Sequence, residues 1–389
     1  MSRQPVYLDY AASTPADPRV AARMAEFLTE EGDFGNPASE THVFGRRARA
    51  AVEQAREQVA EAIGAEAREI VFTSGATEAD NLALKGAAAF QRDRGRHIVT
   101  AASEHKAVLD VCEALEFAGF EVTRLTPDAA GRIAPEQLRA ALREDTILVS
   151  LMHANNETGV INDIAALGEI ARGHGARFHV DAAQSAGKLE LDVGAIEVDL
   201  VSLSAHKIYG PKGVGALWVR RRPRVRLIPQ MHGGGHEHGL RSGTLATHQV
   251  VGMGQAFALA AAERGDDARH CDALRERLFG RLAETGLRDH GAEAPRLPGT
   301  RNIGFDGVEG EALAAALAER VALATGSACT SASVEPSYVL RAMGLPVTQA
   351  AQAVRLSWGR FTRAEDIDAA GTEIVDAVAR LRGGAAAAG

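Results

Sequence analysis

Between residues 69 and 219 the chain carries strand-like apolar runs: EIVFTS, HIVTAAS, EVTRL, TILVSLMHA, RFHVDA, VDLVSLS and GALWV. Stretches with a helical period separate them at 77–90, 106–118, 136–143 and 164–173. Runs this apolar suit strands buried on both faces, and helices between them make parallel crossovers. The alternation therefore predicts an α/β fold, a mostly parallel sheet with helices on both faces. Ligands of such sheets gather at the carboxyl ends of the strands, in loops that lead into helices.

After about residue 262 the pattern changes. A long charged helix over 266–286 precedes RNIGFDG, a helix over 310–320, VALATG, two short helices, VRLSWGR and a last helix ending near Arg382. This predicts a smaller α+β unit, followed by the low-complexity tail GGAAAAG. A length of 389 residues suits two or three domains. The net charge of −8 argues against nucleic acid as a partner. No apolar run approaches the ~20 residues of a membrane helix, and MSRQPVYLDY has no signal-peptide core, so a cytoplasmic protein without a membrane partner is expected.

Only five of the 43 cationic residues are lysines: Lys85, Lys106, Lys188, Lys207 and Lys212. Lys207 ends the apolar run VDLVSLSAHK, where a strand meets the predicted ligand edge. A lysine amine can form an imine with a carbonyl, the bond by which enzymes hold pyridoxal phosphate. The plainer alternative is a surface lysine after a strand. Other strand ends offer groups suited to the same cofactor. EIVFTSGATEADN runs through a glycine turn into a helix, whose N-terminal N–H groups and Thr77 hydroxyl could bind phosphate; a capped helix start is the alternative. Asp181 could pair with a pyridinium nitrogen or simply cap a helix, and Gln184 could donate to the ring's phenolic oxygen. His105 could stack on the ring and exchange protons, or be structural. Ser204 and His206 flank the strand end beside Lys207 and could reach phosphate oxygens. The convergence of these strand ends on one cofactor, not any single residue, is what points to pyridoxal phosphate.

The three cysteines form no CxxC pair. Cys112 and Cys271 lie in segments of helical period and read as packed, inert thiols. Cys329 lies in TGSACTSAS, among small and hydroxyl residues with no apolar period. In HGGGHEHGLRSGT, His232, His236 and His238 lack acidic or thiol partners at metal-ligand spacing, so a glycine loop ending in a phosphate-binding Thr244 is preferred to a metal site. The run Arg220, Arg221, Arg222, Arg224 and Arg226 reads as a solvated face, or as a dock for an acidic partner.

The segments YLDYAASTPADPRV, FGNPAS, EIVFTSGATEADN, SEHKAVLD, MHANNETGV, HVDAAQSAGK, SAHKIYGPKGVGAL, MHGGGHEHGLRSGT, TGSACTSASVEPSYVLRAMG and VRLSWGRFT resemble the cysteine desulfurases of the IscS/NifS class. These belong to the class V aminotransferases. The resemblance spans nearly the whole chain. It implies the aspartate-aminotransferase-like fold type I, with a large domain over 16–262 and a small α+β domain formed by 1–15 and 263–389. It implies a mobile loop at about 326–336 carrying Cys329 as the sulfur-accepting nucleophile. By the same resemblance Lys207 bonds the cofactor as an imine, His105 is the ring-stacking acid/base, Asp181 meets the pyridinium and Gln184 the phenolic oxygen. Ala76, Thr77, Ser204 and His206 would hold the phosphate, joined by Thr244 from the neighbouring subunit of a homodimer. Asn156 and Arg355 would bind the substrate carboxylate, a bidentate task that suits a guanidinium.

The implied reaction takes sulfur from L-cysteine, releases L-alanine and leaves a persulfide on Cys329. Acceptors implied are the iron–sulfur scaffold protein and tRNA-thiolation carriers. No intrinsic metal is expected, although Cys329 could transiently share an iron–sulfur cluster with the scaffold. Arg220–Arg226 resembles a surface that meets acidic regulators such as frataxin-like proteins or ferredoxin. Two departures stand out. Family members often continue beyond the last helix with a scaffold-binding tail, where this sequence ends in GGAAAAG, and His238 stands where close relatives are expected to carry Arg. The alternatives are a selenocysteine lyase or another class V transaminase-like enzyme, which would not need a nucleophilic cysteine, and an inactive homologue that only binds.

Overall fold

The structure is a computed structural model that describes residues 4–326 and 336–387, with side chains as far as residue 383. Its first elements are β1 (Val6–Tyr7), α1 (Pro18–Ala25), α2 (Val43–Ala62), β2 (Ile70–Thr73), α3 (Ala76–Gln91), β3 (His97–Ala101), α4 (Lys106–Phe117) and β4 (Glu121–Leu125). There follow α5 (Pro135–Ala141), β5 (Thr146–Ser150), α6 (Ile164–His174), β6 (Arg177–Asp181), β7 (Leu200–Ser204), β8 (Gly215–Val219) and α7 (Thr247–Leu282). The last part holds β9 (Leu287–His290), β10 (Thr300–Phe305), α8 (Gly310–Leu317), β11 (Val321–Ala322) and β12 (Ala324–Thr325). It ends with α9 (Tyr338–Ala342), α10 (Val347–Ala351), β13 (Ala353–Ser357) and α11 (Ala364–Ala387).

Neighbouring residues on each central strand serve different cores. Val71, Ile98, Leu148 and Leu217 pack against α3 and α4, while Phe72, Val99, Val149 and Trp218 pack on the other face with residues of α2, α6 and α7. Burial on both faces explains why these runs are apolar without alternation. The seven strands lie in the order β2-β8-β7-β6-β5-β3-β4, and only β8 runs antiparallel to its neighbours. This is the α/β architecture that the alternation predicts. At the edge, β4 exposes Glu121 and Arg124, charges that blunt pairing with another strand.

A second, antiparallel sheet runs β12-β13-β10-β9 and packs with α8 and α11 over Ile303, Phe305, Leu313, Leu356, Ile367 and Ile374. The N-terminal segment joins this core through Val6 and Leu8, and β1 pairs in parallel with β11.

The long helix differs from the sequence expectation. Instead of 266–286, α7 covers 36 residues, which is about 54 Å. Its first half feeds Val250, Met253, Ala256 and Phe257 into the core of the central sheet, and its second half feeds Cys271, Leu274 and Leu278 into the smaller one. The first half lacks the charged stripe that marks a surface helix because it is covered by α2. Contact there is close enough to require glycine: a Cβ on Gly254 would lie 2.6 Å from the Ala55 Cα. Gly254→Val should therefore destabilise the protein by about 1–3 kcal/mol through overpacking. The measurement is urea unfolding, and an unchanged midpoint would disprove close packing of α2 on α7.

Among the described residues no helix is long and apolar enough to cross a membrane.

Candidate active site

The carboxyl ends of β2, β3, β5, β6 and β7 open into one cavity of about 490 Å3. Its walls include Ala76, Thr77, His105, Asn156, Asp181, Gln184, Ser204, His206, Lys207 and Arg355. Of the site residues singled out from the sequence, Thr244 is exposed and does not line this cavity, and Cys329 lies outside the described residues.

Lys207 follows β7 in a turn packed against the N-terminal segment. Its Nζ donates to the carbonyls of Ala11 at 2.6 Å and Ala12 at 2.8 Å. The turn is fixed by Thr14, whose backbone N–H and hydroxyl both donate to the His206 carbonyl, while its Oγ1 accepts from the Tyr209 N–H at 2.7 Å. Tyr209 adopts a φ of 67°, unusual for an aromatic residue, so the hydrogen bonds hold a strained loop in place. Burial, with Lys207 close by, pushes the His206 imidazole down to about 4, leaving it neutral.

The end near β2 is shaped for an anion. Gly75 precedes the first turn of α3, and a Cβ there would meet nothing within 4 Å. The Ser74 N–H donates to Glu78 Oε2 and the Gly75 N–H to Thr73 Oγ1, so the N–H groups of Ala76 and Thr77 are the ones left for an anion. Across from it the Ser204 hydroxyl is buried without a hydrogen-bond partner. An unsatisfied buried hydroxyl beside a free helix N-terminus fits a phosphate group.

The opposite end is acidic. Asp181 is the last residue of β6 and accepts from the Ala183 N–H at 2.8 Å. Burial pushes its carboxyl up, while the Ala183 N–H, His105 and Lys207 pull it back toward the ionised form. His105 caps α4, its Nδ1 accepting from the Ala107 N–H at 3.1 Å. Burial lowers its pKa, so the neutral ring carries its proton on Nε2. Asp80 on α3 is a wall residue that sequence reasoning missed. It is fully buried, neither carboxyl oxygen has a hydrogen-bond partner, and His179 Nε2 lies 3.5 Å away. Burial, then the neighbouring Asp181, raises its carboxyl well above the usual range. The available signal was an acid set among Ala79, Leu82 and Ala83 on the inner face of an apolar helix.

Arg355, on β13, reaches the cavity from the smaller sheet. Its guanidinium donates to Asp9 Oδ1 at 2.7 Å and to the Asn156 carbonyl at 2.9 Å, while its Nε is buried without a partner. The Asp9 carboxylate occupies the kind of position that a substrate carboxylate would take. Asn156 Oδ1 is likewise buried without a partner.

The glycine-rich loop is held more firmly than its composition suggests. Glu237 is buried and makes a bidentate ion pair with Arg56 at 2.7 and 2.8 Å, and Arg241 pairs with Glu78 at 2.8 Å. Among the described residues no cluster of three or more His, Cys, Asp or Glu forms a metal-binding set. The basic run needs a correction. Arg220 is turned inward and donates to the carbonyls of Val198, Val193 and Ile196, so it is a structural residue; Arg221, Arg222, Arg224 and Arg226 are the exposed ones.

Comparison with known proteins agrees with this layout. The class-V aminotransferase family model matches residues 6–370. The chain is 57% identical over 381 residues to a cysteine desulfurase IscS of Pseudomonas aeruginosa (strain UCBPP-PA14), covering 97% of this chain and 94% of that protein. It is 58% identical over 379 residues to a cysteine desulfurase IscS of Stutzerimonas stutzeri, with the same coverage. Among solved structures it is similar to a NifS-like protein, at a TM-score of 0.89 and 36% identity over 97% of this chain and 99% of that one. It is also similar to SspA in complex with cysteine, at a TM-score of 0.81 and 39% identity over 92% of this chain and 99% of that one.

Proposed function

Because the chain belongs to the class-V aminotransferase family, and within it to the cysteine desulfurases of the IscS/NifS class, we propose that Lys207 is its catalytic base and Cys329 its sulfur acceptor. The observation that carries this reading is the meeting of Lys207, Asp181, His105 and an anion cradle in one cavity. These residues fit pyridoxal phosphate: the unpartnered Ser204 hydroxyl and the open N-terminus of α3 match its phosphate, and Asp181 matches its ring nitrogen. When bound, the cofactor supplies an electron sink for negative charge at the substrate Cα.

The chain's own residues then divide the work. Ala76, Thr77, Ser204 and His206 hold the phosphate, and Gln184 meets the phenolic oxygen. Arg355 exchanges Asp9 for the carboxylate of L-cysteine, with Asn156 alongside. Lys207 Nζ takes the Cα proton, and the carbonyls of Ala11 and Ala12 hold that proton on the nitrogen. His105 exchanges a proton through Nε2. The thiolate of Cys329 attacks the substrate sulfur, forming an S–S bond as the C–S bond breaks. The electron pair stays on Cβ, which takes up a proton, and Lys207 Nζ gives a proton back to Cα, so L-alanine leaves and the persulfide remains on Cys329.

The other cysteines cannot take this part. Burial pushes the thiols of Cys112 and Cys271 up to about 12, which leaves neither ionised near neutral pH. Cys329→Ala should abolish persulfide formation and sulfide release while the visible absorption of the bound cofactor stays. Sulfide release at the wild-type rate would sink Cys329 as the acceptor.

A homodimer is part of the same reading. The exposed Phe34 and Phe44, with ring centroids 5.6 Å apart, offer apolar surface to a partner, and Thr244 is free to serve the neighbouring subunit's phosphate. Iron–sulfur scaffold proteins are the acceptors that suit a persulfide donor of this class. The exposed Arg221, Arg222, Arg224 and Arg226 suit acidic regulators. The cytoplasm, where thiols stay reduced, is the compartment that suits Cys329.

A further inference from the structure

Lys188 has no part in the reaction above, yet it lies half-buried directly behind the site. It lies in the turn after β6, four residues beyond Gln184, and its Nζ donates to Gln184 Oε1 at 3.2 Å. The Gln184 Nε2 donates in turn to the Ala11 carbonyl at 2.9 Å. That same carbonyl receives Lys207 Nζ at 2.6 Å. The polar chain therefore runs from Lys188 through one carboxamide to the catalytic amine.

The direction of this chain follows from donor chemistry. A carboxamide can turn over, exchanging its oxygen and its NH2, whereas an ammonium has three donors and no acceptor. The Lys188 ammonium faces the amide oxygen while the Ala11 carbonyl accepts from the NH2, so two contacts set one orientation, with the NH2 toward the cavity. Lys188 makes no ion pair among the described residues. Its surroundings do not favour a cation. The cationic Lys207 and Arg355 and the Cys271 thiol face it, and Tyr10, Tyr209, Arg264 and Asp267 share the cavity behind. Burial, with Lys207 close by, brings its amine down to about 7. A lysine kept in such a place without a carboxylate needs a reason other than stability.

We propose that Lys188 is a positioning residue that fixes the Gln184 carboxamide with its NH2 toward Lys207 and the cofactor's ring oxygen. This rests on the functional reading above. A donor at the ring oxygen draws away negative charge that would otherwise hold the proton shared with the Lys207 nitrogen. Without Lys188 the Ala11 carbonyl alone holds this orientation, so the amide presents its oxygen there part of the time and that proton is held more tightly.

The test is a pH titration of the visible absorption band of the holoenzyme. Lys188→Met should raise the midpoint by about half to one pH unit, the scale of one hydrogen bond. Lys188→Arg, which also has donors and no acceptor, should keep the wild-type midpoint. Where Gln184→Met is already present, adding Lys188→Met should give no further shift. If Lys188→Met does not fold, Lys188→Gln carries the same expectation, since its side chain accepts as well as donates. An unshifted midpoint in Lys188→Met, or an equal shift without Gln184, would overturn the proposal. A wild-type protein with no visible band after adding pyridoxal phosphate would overturn the functional reading itself; a normal wild-type band with an unshifted variant overturns only the role of Lys188.

Discussion

Lys207→Ala lowers kcat/KM for alanine formation from L-cysteine by about four orders of magnitude or more, the upper range for removing a positioned acid/base. The variant loses the amine that bonds the cofactor and the base that takes the Cα proton. Neither Lys188 nor His206 can replace it. The amine of Lys188 lies behind Gln184, and burial holds the His206 ring neutral at about 4 with its Nδ1 3.3 Å from Ser13 Oγ. Lys207→Arg should not restore activity, because a guanidinium neither gives up its proton near neutrality nor forms the bond to an aldehyde. Alanine release measured over time decides the matter. A rate for Lys207→Ala within tenfold of wild type would remove Lys207 from the reaction. Pyridoxal phosphate should still bind both variants through the phosphate cradle, since Ser204 and the N-terminus of α3 are untouched, but with weaker affinity.

The central sheet was legible because its strands are short, buried on both faces and separated by helices of clear period. The cavity was legible for a related reason: a parallel sheet puts every functional strand end on one edge, so Asp181, Ser204 and Lys207 could be grouped before their distances were seen. What the sequence hid were relations between distant segments. Arg220 looks like one more surface cation among Arg221, Arg222 and Arg224, and only the carbonyls of Val193, Ile196 and Val198 reveal its structural use. The first half of α7 lacked a polar stripe because α2 covers it. Lys188 was visible as one of five lysines, but its distance to the site depends on the turn that brings its amine back to Gln184. Glu237 stood in a glycine-rich run with no local sign of a partner, because that partner, Arg56, lies 181 residues earlier.

That pair gives the largest expected change in stability. Both side chains are almost wholly buried, at 5% and 3% exposure, and the pair is bidentate. Glu237 Oε2 also accepts from the Phe72 N–H at 2.7 Å, Arg56 donates to the Ile70 carbonyl at 2.9 Å, and the guanidinium stacks 4.7 Å from the centre of the Phe72 ring. The pair thus ties the loop before Thr244 to the edge strand of the central sheet. It also holds Glu237 and His238 at φ of 50° and 57°, a conformation that side chains other than glycine rarely adopt. Glu237→Ala leaves the buried guanidinium with only the half-exposed Glu53 as counter-charge and an unpaired N–H on β2, so the protein should lose about 3 kcal/mol of stability, the low end for breaking a buried pair. Arg56→Met should cost a similar amount, because it strands the carboxylate. Replacing both by Met removes the uncompensated charge, and the double variant should be distinctly more stable than the sum of the single losses predicts. Urea unfolding of the holoenzyme measures all three variants. A loss below about 1 kcal/mol for Glu237→Ala, the range of an exposed pair, would mean that the loop is held by something other than this contact.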